Sequence, residues 1–393
     1  MDLEQTDHLK AYGITFNELK KGRIADWLLN YRGGSFMLDY SDELVLNCRL
    51  KGVTFETLTG AQMVQIYSYV QSDEQNMEVM RLEKAPNIAV FVPEGYLPWD
   101  DAVSLALDYA EVSHDKIWLE EILRGDLEKY DWLHLHHEDF TGQYGKFYGS
   151  FRGAQWYVQQ QLLYEREAER LGFKKVSEME KAITLIIKEY IAKGGFLFAM
   201  CSAADSFDIT LAAENVDICD RMFDGDAFDI NAQDKLDFNK TLAFEGFELE
   251  MNSLVYEFSN IDIQPTEIGN QNNDYFTLFE YSAKYDPVPT MLTQNHVNVI
   301  RGFMGQSTMF RKPFIKKSVY ILGERANSDQ VKYIHGNFGR GTFTFYGGHD
   351  PEDYTHAVGD PPTDLSLYKN SPGYRLILNN ILFPAAKKKK QKT

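Results

Sequence analysis

Cysteine is scarce. The 393 residues hold three, Cys48, Cys201 and Cys219, too few for a disulfide framework, so at least one stays free and a reducing compartment suits the chain best. Positive charge is short as well: 40 Lys and Arg face 58 Asp and Glu, and a net charge of −18 argues against nucleic acid or an anionic membrane surface as partner. No apolar run approaches the ~20 residues of a membrane span. Internal repeats are absent, and the one low-complexity tract is the lysine run 387–390, inside a basic, disordered tail at 386–393. What is abundant is core material, at 44% hydrophobic and 14% aromatic residues, enough for one large domain with additions.

One of the three cysteines stands where a pattern changes. Residues 194–208, GGFLFAMCSAADSFD, open with an apolar run bounded by glycines, the mark of a buried parallel strand. Ala203, Ala204, Phe207 and Leu211 then recur at helical spacing. Cys201 lies at the corner, where a new helix N-terminus stabilises an anion and lowers a thiol pKa. The small residues Ala199 and Ala203 fit such an elbow. Free cysteine is also among the most buried residue types, so core packing competes with a nucleophile here. A second strand pattern in RGTFTFYGGHDPE, residues 340–352, ends at Gly347, Gly348 and His349. A histidine at the carboxyl edge of an open α/β sheet is placed to serve a thiol as general base. Asp350, Glu352 and Asp353 follow, and one of them would orient the ring.

These two segments resemble the class I glutamine amidotransferase-like superfamily, with its flavodoxin-like sheet, cysteine elbow and late His-Pro-Glu. The resemblance implies Cys201 as nucleophile, His349 as base and Glu352 as orienting acid, with Asp350 or Asp353 as alternatives because Asp350 separates His349 from Pro351. It also implies an oxyanion hole from the N–H groups of Ser202 and of Gly142 in the loop after the third strand. Both elbow glycines of the family pattern are alanine here. Over its whole length the chain resembles a bacterial family often labelled asparagine synthetase B, including its LPWDDAV, WLHLHHEDFTGQYGKF and YGGHDPEDYTH segments. That label implies an N-terminal cysteine and an SGGxDS nucleotide loop; Met1 is followed by Asp2 and no such loop occurs, so ATP-dependent amide synthesis is not expected.

The chain in order gives an α/β fold: a mostly parallel, flavodoxin-like sheet with helices on both faces, an N-terminal βα layer and an acidic insertion. The layer, 1–86, holds a helix through Leu9 and Leu19, a strand at 23–31, a further strand at 52–58 and a helix at 61–70. A strand is wanted ahead of that first helix: the chain as given reads as cytoplasmic, and a start upstream with a secretory leader would make the protein periplasmic or secreted. The amidotransferase-like domain, 87–385, begins with strands at 87–93, 116–122 and 130–136. Ser177 and Glu180 read as a capping box. An acidic insertion at about 215–289 interrupts the rhythm, and 240–250 with 254–263 read as a hairpin of edge strands. Strands at 318–322, 331–335 and 339–346 and a helix at 374–382 close the fold, and His356 lies in an acid-rich loop.

No metal is expected. His136, His137, Glu138 and Asp139 stand together, but neighbours on a strand point to opposite faces, so a hydrogen-bonded strand terminus is the reading. DGDAFD, 224–229, lacks the sixth-position glycine and the closing glutamate of an EF-hand calcium loop and reads as a solvated acidic turn. His296 and Arg311 are taken as surface pairing. No cofactor motif is present. The expected activity is hydrolysis of glutamine or a related small amide, any ammonia-using synthetase being a separate partner; the competing reading is an inactive fold that binds a sugar or a protein.

Overall fold

The computed structural model describes residues 1–93, 99–355 and 357–386. Leu97 and Pro98 of the LPWDDAV segment, His356 and the lysine tail lie outside them. The chain forms strands β1 (Ala25–Leu29), β2 (Ser35–Leu38), β3 (Glu78–Leu82), β4 (Ile88–Phe91), β5 (Asp115–Ile117), β6 (Trp132–Leu135) and β7 (Phe196–Met200). The remaining strands are β8 (Tyr275–Leu278), β9 (Val299–Arg301), β10 (Phe310–Arg311), β11 (Tyr320–Glu324), β12 (Gln330–Phe338) and β13 (Gly341–Tyr346). One large mixed sheet runs β5-β4-β6-β7-β13-β12-β11-β8-β9, with β10 paired to β12. Its β5-β4-β6-β7-β13 half is parallel and the rest antiparallel.

The parallel strands are apolar on both sides because each side meets a helical layer. Ile88, Val90, Trp132, Phe198, Met200 and Tyr346 face the core shared with helices His8–Lys20, Ala102–Ala110 and Pro372–Leu382. Their alternates Ala89, Phe91, Leu133, Leu135, Leu197, Ala199 and Phe345 face helices Gln155–Arg170, Val176–Lys193 and Ser202–Ala212. Period-two alternation thus feeds two cores from one sheet.

Several sequence expectations need correction. The N-terminal layer is an antiparallel sheet, β2-β1-β3, rather than a βα unit. Residues 52–58 form no strand, because Gln5 takes their backbone groups: its Nε2 donates to Thr54 O at 3.0 Å and its Oε1 accepts the Thr54 N–H at 2.8 Å. The hairpin at 240–263 reduces to a single bridge, Leu249 to Ser259. Buried Asp208 takes the N–H groups of Leu242, Ala243 and Phe244 at 2.6, 2.6 and 2.8 Å, which removes the donors a ladder needs. The insertion instead contributes β8 to the main sheet. Ser177 and Glu180 cap nothing: the helix starts at Val176, and both Glu180 carboxyl oxygens are buried within it. Among the described residues no helix is long and apolar enough to cross a membrane.

Candidate functional site at the carboxyl edge of the parallel strands

β7 ends at Met200 and the next helix begins at Ser202, so the chain turns within one residue. Cys201 makes the turn with φ 53° and ψ −142°, a backbone conformation costing on the order of 1–3 kcal/mol that persists only where the surroundings hold it. Its N–H donates to Gly348 O at 3.1 Å, linking the corner to the turn after neighbouring β13. The His349 N–H donates to Met304 O at 2.8 Å and the Gly348 N–H to Ser307 O at 2.9 Å, so an irregular loop at 302–309 is sewn beneath the histidine. Lys332 secures that loop from below, with Nζ donating to Phe303 O and, at 2.8 Å, to Thr308 O. Burial pushes the pKa of Lys332 down to about 7, outweighing the opposing charges of Asp274 and Asp262.

Cys201 is 6% exposed, and two imidazoles stand beside its sulfur. Ring nitrogens of His136 and His137 and the Cys201 sulfur all lie within 4.8 Å of one another. The His349 ring packs on both imidazoles, 4.7 Å from His136 and 4.8 Å from His137. Burial pushes the Cys201 pKa up to about 12, against the opposing N–H groups of Ser202 and Gln306 that face the sulfur. The expected lowering by the helix N-terminus is therefore overturned: desolvation of the charged form is the larger effect, and the resting group is a thiol.

His136 and His137 stack at 3.9 Å with a 14° interplanar angle. The alternation that placed them on opposite faces does not apply, because β6 stops at Leu135. Asp101 organises the rings. Its Oδ2 lies 3.1 Å from His134 Nε2 and 3.1 Å from His136 Nδ1, while Oδ1 accepts the Ser104 N–H at 2.6 Å and caps the following helix. Burial raises the Asp101 pKa, but its two imidazole partners outweigh that and hold the carboxyl well below the ordinary range. Both ring nitrogens of His134 face oxygens, Asp101 Oδ2 at 3.1 Å and Phe198 O at 3.2 Å; burial pushes its pKa down and Asp101 resists. His137 Nε2 donates to Asp100 O at 2.7 Å.

The structure therefore places Cys201 and Ser202 at the corner beside His136 and His137, with the His349 ring packed on those two imidazoles, and adds Asp101 and Gln306; sequence reasoning assigned none of His136, His137, Asp101 and Gln306 to the site. Gly142 needs correction as an oxyanion donor. Its N–H closes a turn onto Asp139 O at 3.3 Å, its carbonyl accepts the Cys219 thiol at 3.5 Å, and it packs against Ser177. Gln306 replaces it as the second N–H beside the sulfur. Glu352 accepts from Tyr354 Oη at 2.6 Å, and Asp350 accepts from Tyr374 Oη at 2.6 Å and the Glu352 N–H at 2.8 Å. The Asp353 N–H donates to Asp350 O at 3.1 Å, so these acids brace the loop that carries His349. An aromatic shelf adjoins the rings: Trp99 lies 5.5 Å from His137, 5.4 Å from Phe147 and 5.2 Å from Trp156, and Tyr256 lies 5.6 Å from Phe147. A cavity of about 390 Å³ lies away from this chemistry, in the N-terminal layer, lined by Ile14, Leu44, Cys48, Val53 and Ile66 among others.

No family model matches the chain. No curated protein matches it. Among solved structures it is similar to two cytoplasmic proteins from Salmonella typhimurium, at 10% and 11% identity, 77% of this chain and 100% of each of theirs, with TM-scores of 0.36 and 0.37. It is also similar to a catalytic mutant of a GH42 beta-galactosidase from G. stearothermophilus, at 10% identity over 67% of this chain and 27% of that one, with a TM-score of 0.26. Likeness at this level carries no functional argument.

Proposed function

We propose that this is a flavodoxin-like protein of the class I glutamine amidotransferase-like kind, hydrolysing a small amide through Cys201. Two things support the family reading. From β4 onward the parallel strands stand in the order second, first, third, fourth, last, the doubly wound order whose ligands sit in the crevice outside the strand ends. Cys201 occupies a strained corner at that edge.

The observation that carries the chemistry is Cys201 beside an imidazole backed by a carboxylate whose side chain is 9% exposed. In the forward step the Sγ–H proton passes to an imidazole as Sγ bonds to the acyl carbon. The carbon–nitrogen bond then breaks, and the imidazolium returns the proton to the departing ammonia. Water attacks the thioester by the reverse exchange and frees the acid and the thiol. His349 was the base expected from sequence; His136 competes for the role because Asp101 fixes Nδ1 and leaves Nε2 as the basic atom. The N–H groups of Ser202 and Gln306 are the oxyanion donors.

The test is ammonia release from glutamine and small amides, with an acyl-enzyme sought by mass spectrometry. Cys201→Ala abolishes both, and His136→Asn or His349→Asn costs 10²–10⁴-fold, whichever is the base. With an imidazole beside it to take the proton, Cys201 is alkylated by iodoacetamide ahead of Cys48 and Cys219 despite its raised pKa; equal labelling of all three sinks the proposal. A second reading is favoured by the half-buried aromatic shelf of Trp99, Phe147 and Trp156, which suits the face of a sugar. Quenching of tryptophan fluorescence by a sugar, unaltered in Cys201→Ala and lost in Trp156→Ala, with no ammonia released, supports the binding module instead.

A further inference from the structure

We propose that His136, His137 and Cys201 form a binding site for one thiophilic divalent cation of the zinc class. Three observations converge. The three side chains offer two imidazole nitrogens and a sulfur within 4.8 Å of one another. That donor set is the one zinc selects, and zinc binds it with bonds of about 2.0–2.1 Å to nitrogen and 2.3 Å to sulfur. Tetrahedral bonds of those lengths hold the ligand atoms roughly 3.3–3.7 Å apart, so side-chain rotations of about 1 Å complete the cage.

Each ring is already held by its outer nitrogen. His136 Nδ1 meets the Asp101 carboxylate and His137 Nε2 donates to the Asp100 carbonyl, which are the two kinds of outer contact that metal-ligating histidines make. This fixes His136 Nε2 and His137 Nδ1 as the ligand atoms. His136 Nε2 is buried and has no hydrogen-bond partner, in a side chain that is 1% exposed. A buried lone pair without a donor is an expense that a cation removes.

The alternatives within the fold do not compete. Asp101, His134 and His136 also lie within 4.8 Å of one another, but there the carboxylate is already hydrogen-bonded to both rings and belongs to the outer shell. Asp217, Asp224 and Asp226 gather around the Lys175 ammonium, which fills the position a cation would take.

On binding, the thiol proton leaves to solvent as the sulfur–metal bond forms, so one proton is released per ion. The ion leaves a fourth position open, as in zinc sites that admit water or substrate. It also takes the sulfur and the inner His136 nitrogen out of use for thioester chemistry. The site itself requires only the juxtaposition of the three side chains, not the hydrolase reading.

The experiment loads chelator-stripped full-length protein with Zn²⁺ and, as an optical probe, Co²⁺. One metal per chain by plasma mass spectrometry, a cobalt–thiolate charge-transfer band, and protection of Cys201 from iodoacetamide are expected. His137→Gln leaves the Asp101 contacts alone and reduces uptake at least tenfold; Cys201→Ser removes the thiolate band. Wild-type uptake no greater than that of a His136→Gln/His137→Gln/Cys201→Ser protein, or cobalt bound without the thiolate band, overturns the site. Ammonia release is measured separately on the stripped protein. Release without metal uptake defeats the metal site alone, and uptake without release in either form defeats the hydrolase alone.

Discussion

Asp101 Oδ2 lies 3.1 Å from His136 Nδ1, though 35 residues separate the two in the chain. The strand order creates the contact. β5 packs outside β4, leaving β4 and β6 side by side, so the helix start after β4 faces the strand end of β6. The same oxygen also holds His134, and Oδ1 caps the helix, so one carboxylate sets the rings and the helix together.

Asp101→Asn separates those duties. Asparagine caps a helix as well as aspartate does, but it cannot balance two imidazoles with charge. Loss of hydrogen bonds to a charged group costs about 1.5–3 kcal/mol, measured as a lower urea midpoint. Zinc affinity falls 10–100-fold, the usual cost of losing an outer-shell partner. An unchanged midpoint and affinity would mean that the carboxylate only caps.

The elbow was legible because its signal is local: an apolar run bounded by Gly194 and Gly195, a cysteine, then helical spacing from Ala203. His349 was legible for the same reason, at the end of an alternating strand. His136 and His137 were misread because one extra residue of assumed strand sends their rings to opposite faces, whereas β6 stops at Leu135. Gln306 left no signal at all. Its loop has no regular pattern and is held by distant groups, with Asp262 accepting the Ser307 N–H at 2.7 Å and Lys332 binding two carbonyls. Side chains that consume backbone donors also erased the hairpin at Leu242 to Phe244, which alternation alone had suggested.

Gly305 is where that loop touches the site. A Cβ there would stand 2.6 Å from the His349 nitrogen and 2.7 Å from its Cβ, at a φ of 145° that L-residues rarely adopt. Neither neighbour is a flexible chain end, so Gly305→Ala pushes the His349 turn away. Destabilisation of about 1–3 kcal/mol is expected from the overlap, with loss of both ammonia release and the cobalt–thiolate band. A variant with wild-type melting temperature and activity would show that the loop yields at no cost.

Lys175 takes the position a cation would hold in the acidic turn. Its Nζ lies 3.0 Å from Asp217 and 3.1 Å from Asp224, with Asp226 closing the group. Burial lowers the lysine pKa, but the three carboxylates raise it more, so the ammonium persists. Lys175→Met leaves the acids facing one another and costs about 1–2 kcal/mol, less than a fully buried pair because Asp226 is exposed. Millimolar Ca²⁺ restores part of the variant's melting temperature and leaves the wild type unmoved. Equal calcium shifts in both proteins would contradict this assignment.

His8 and His296 make stability fall in mild acid. Their rings stack at 4.1 Å beside the guanidinium of Arg375, whose Nη1 lies 3.4 Å from His296 Nδ1. Burial, then the Arg375 charge, pushes His8 down to about 4; burial, then the charges of His8 and Arg375, pushes His296 down to about 3. In the unfolded chain each takes its proton near 6.5. Between about pH 6.5 and 4 the unfolded state therefore binds more protons than the folded one, and stability is lost as pH falls through that window. Each ring contributes a loss of roughly 1–2 kcal/mol between pH 7 and 5. Urea unfolding at both pH values checks this. His296→Gln removes one titrating ring and one neighbour of His8, so its stability changes less between the two pH values than that of the wild type. An identical pH slope in variant and wild type would place the acid sensitivity elsewhere.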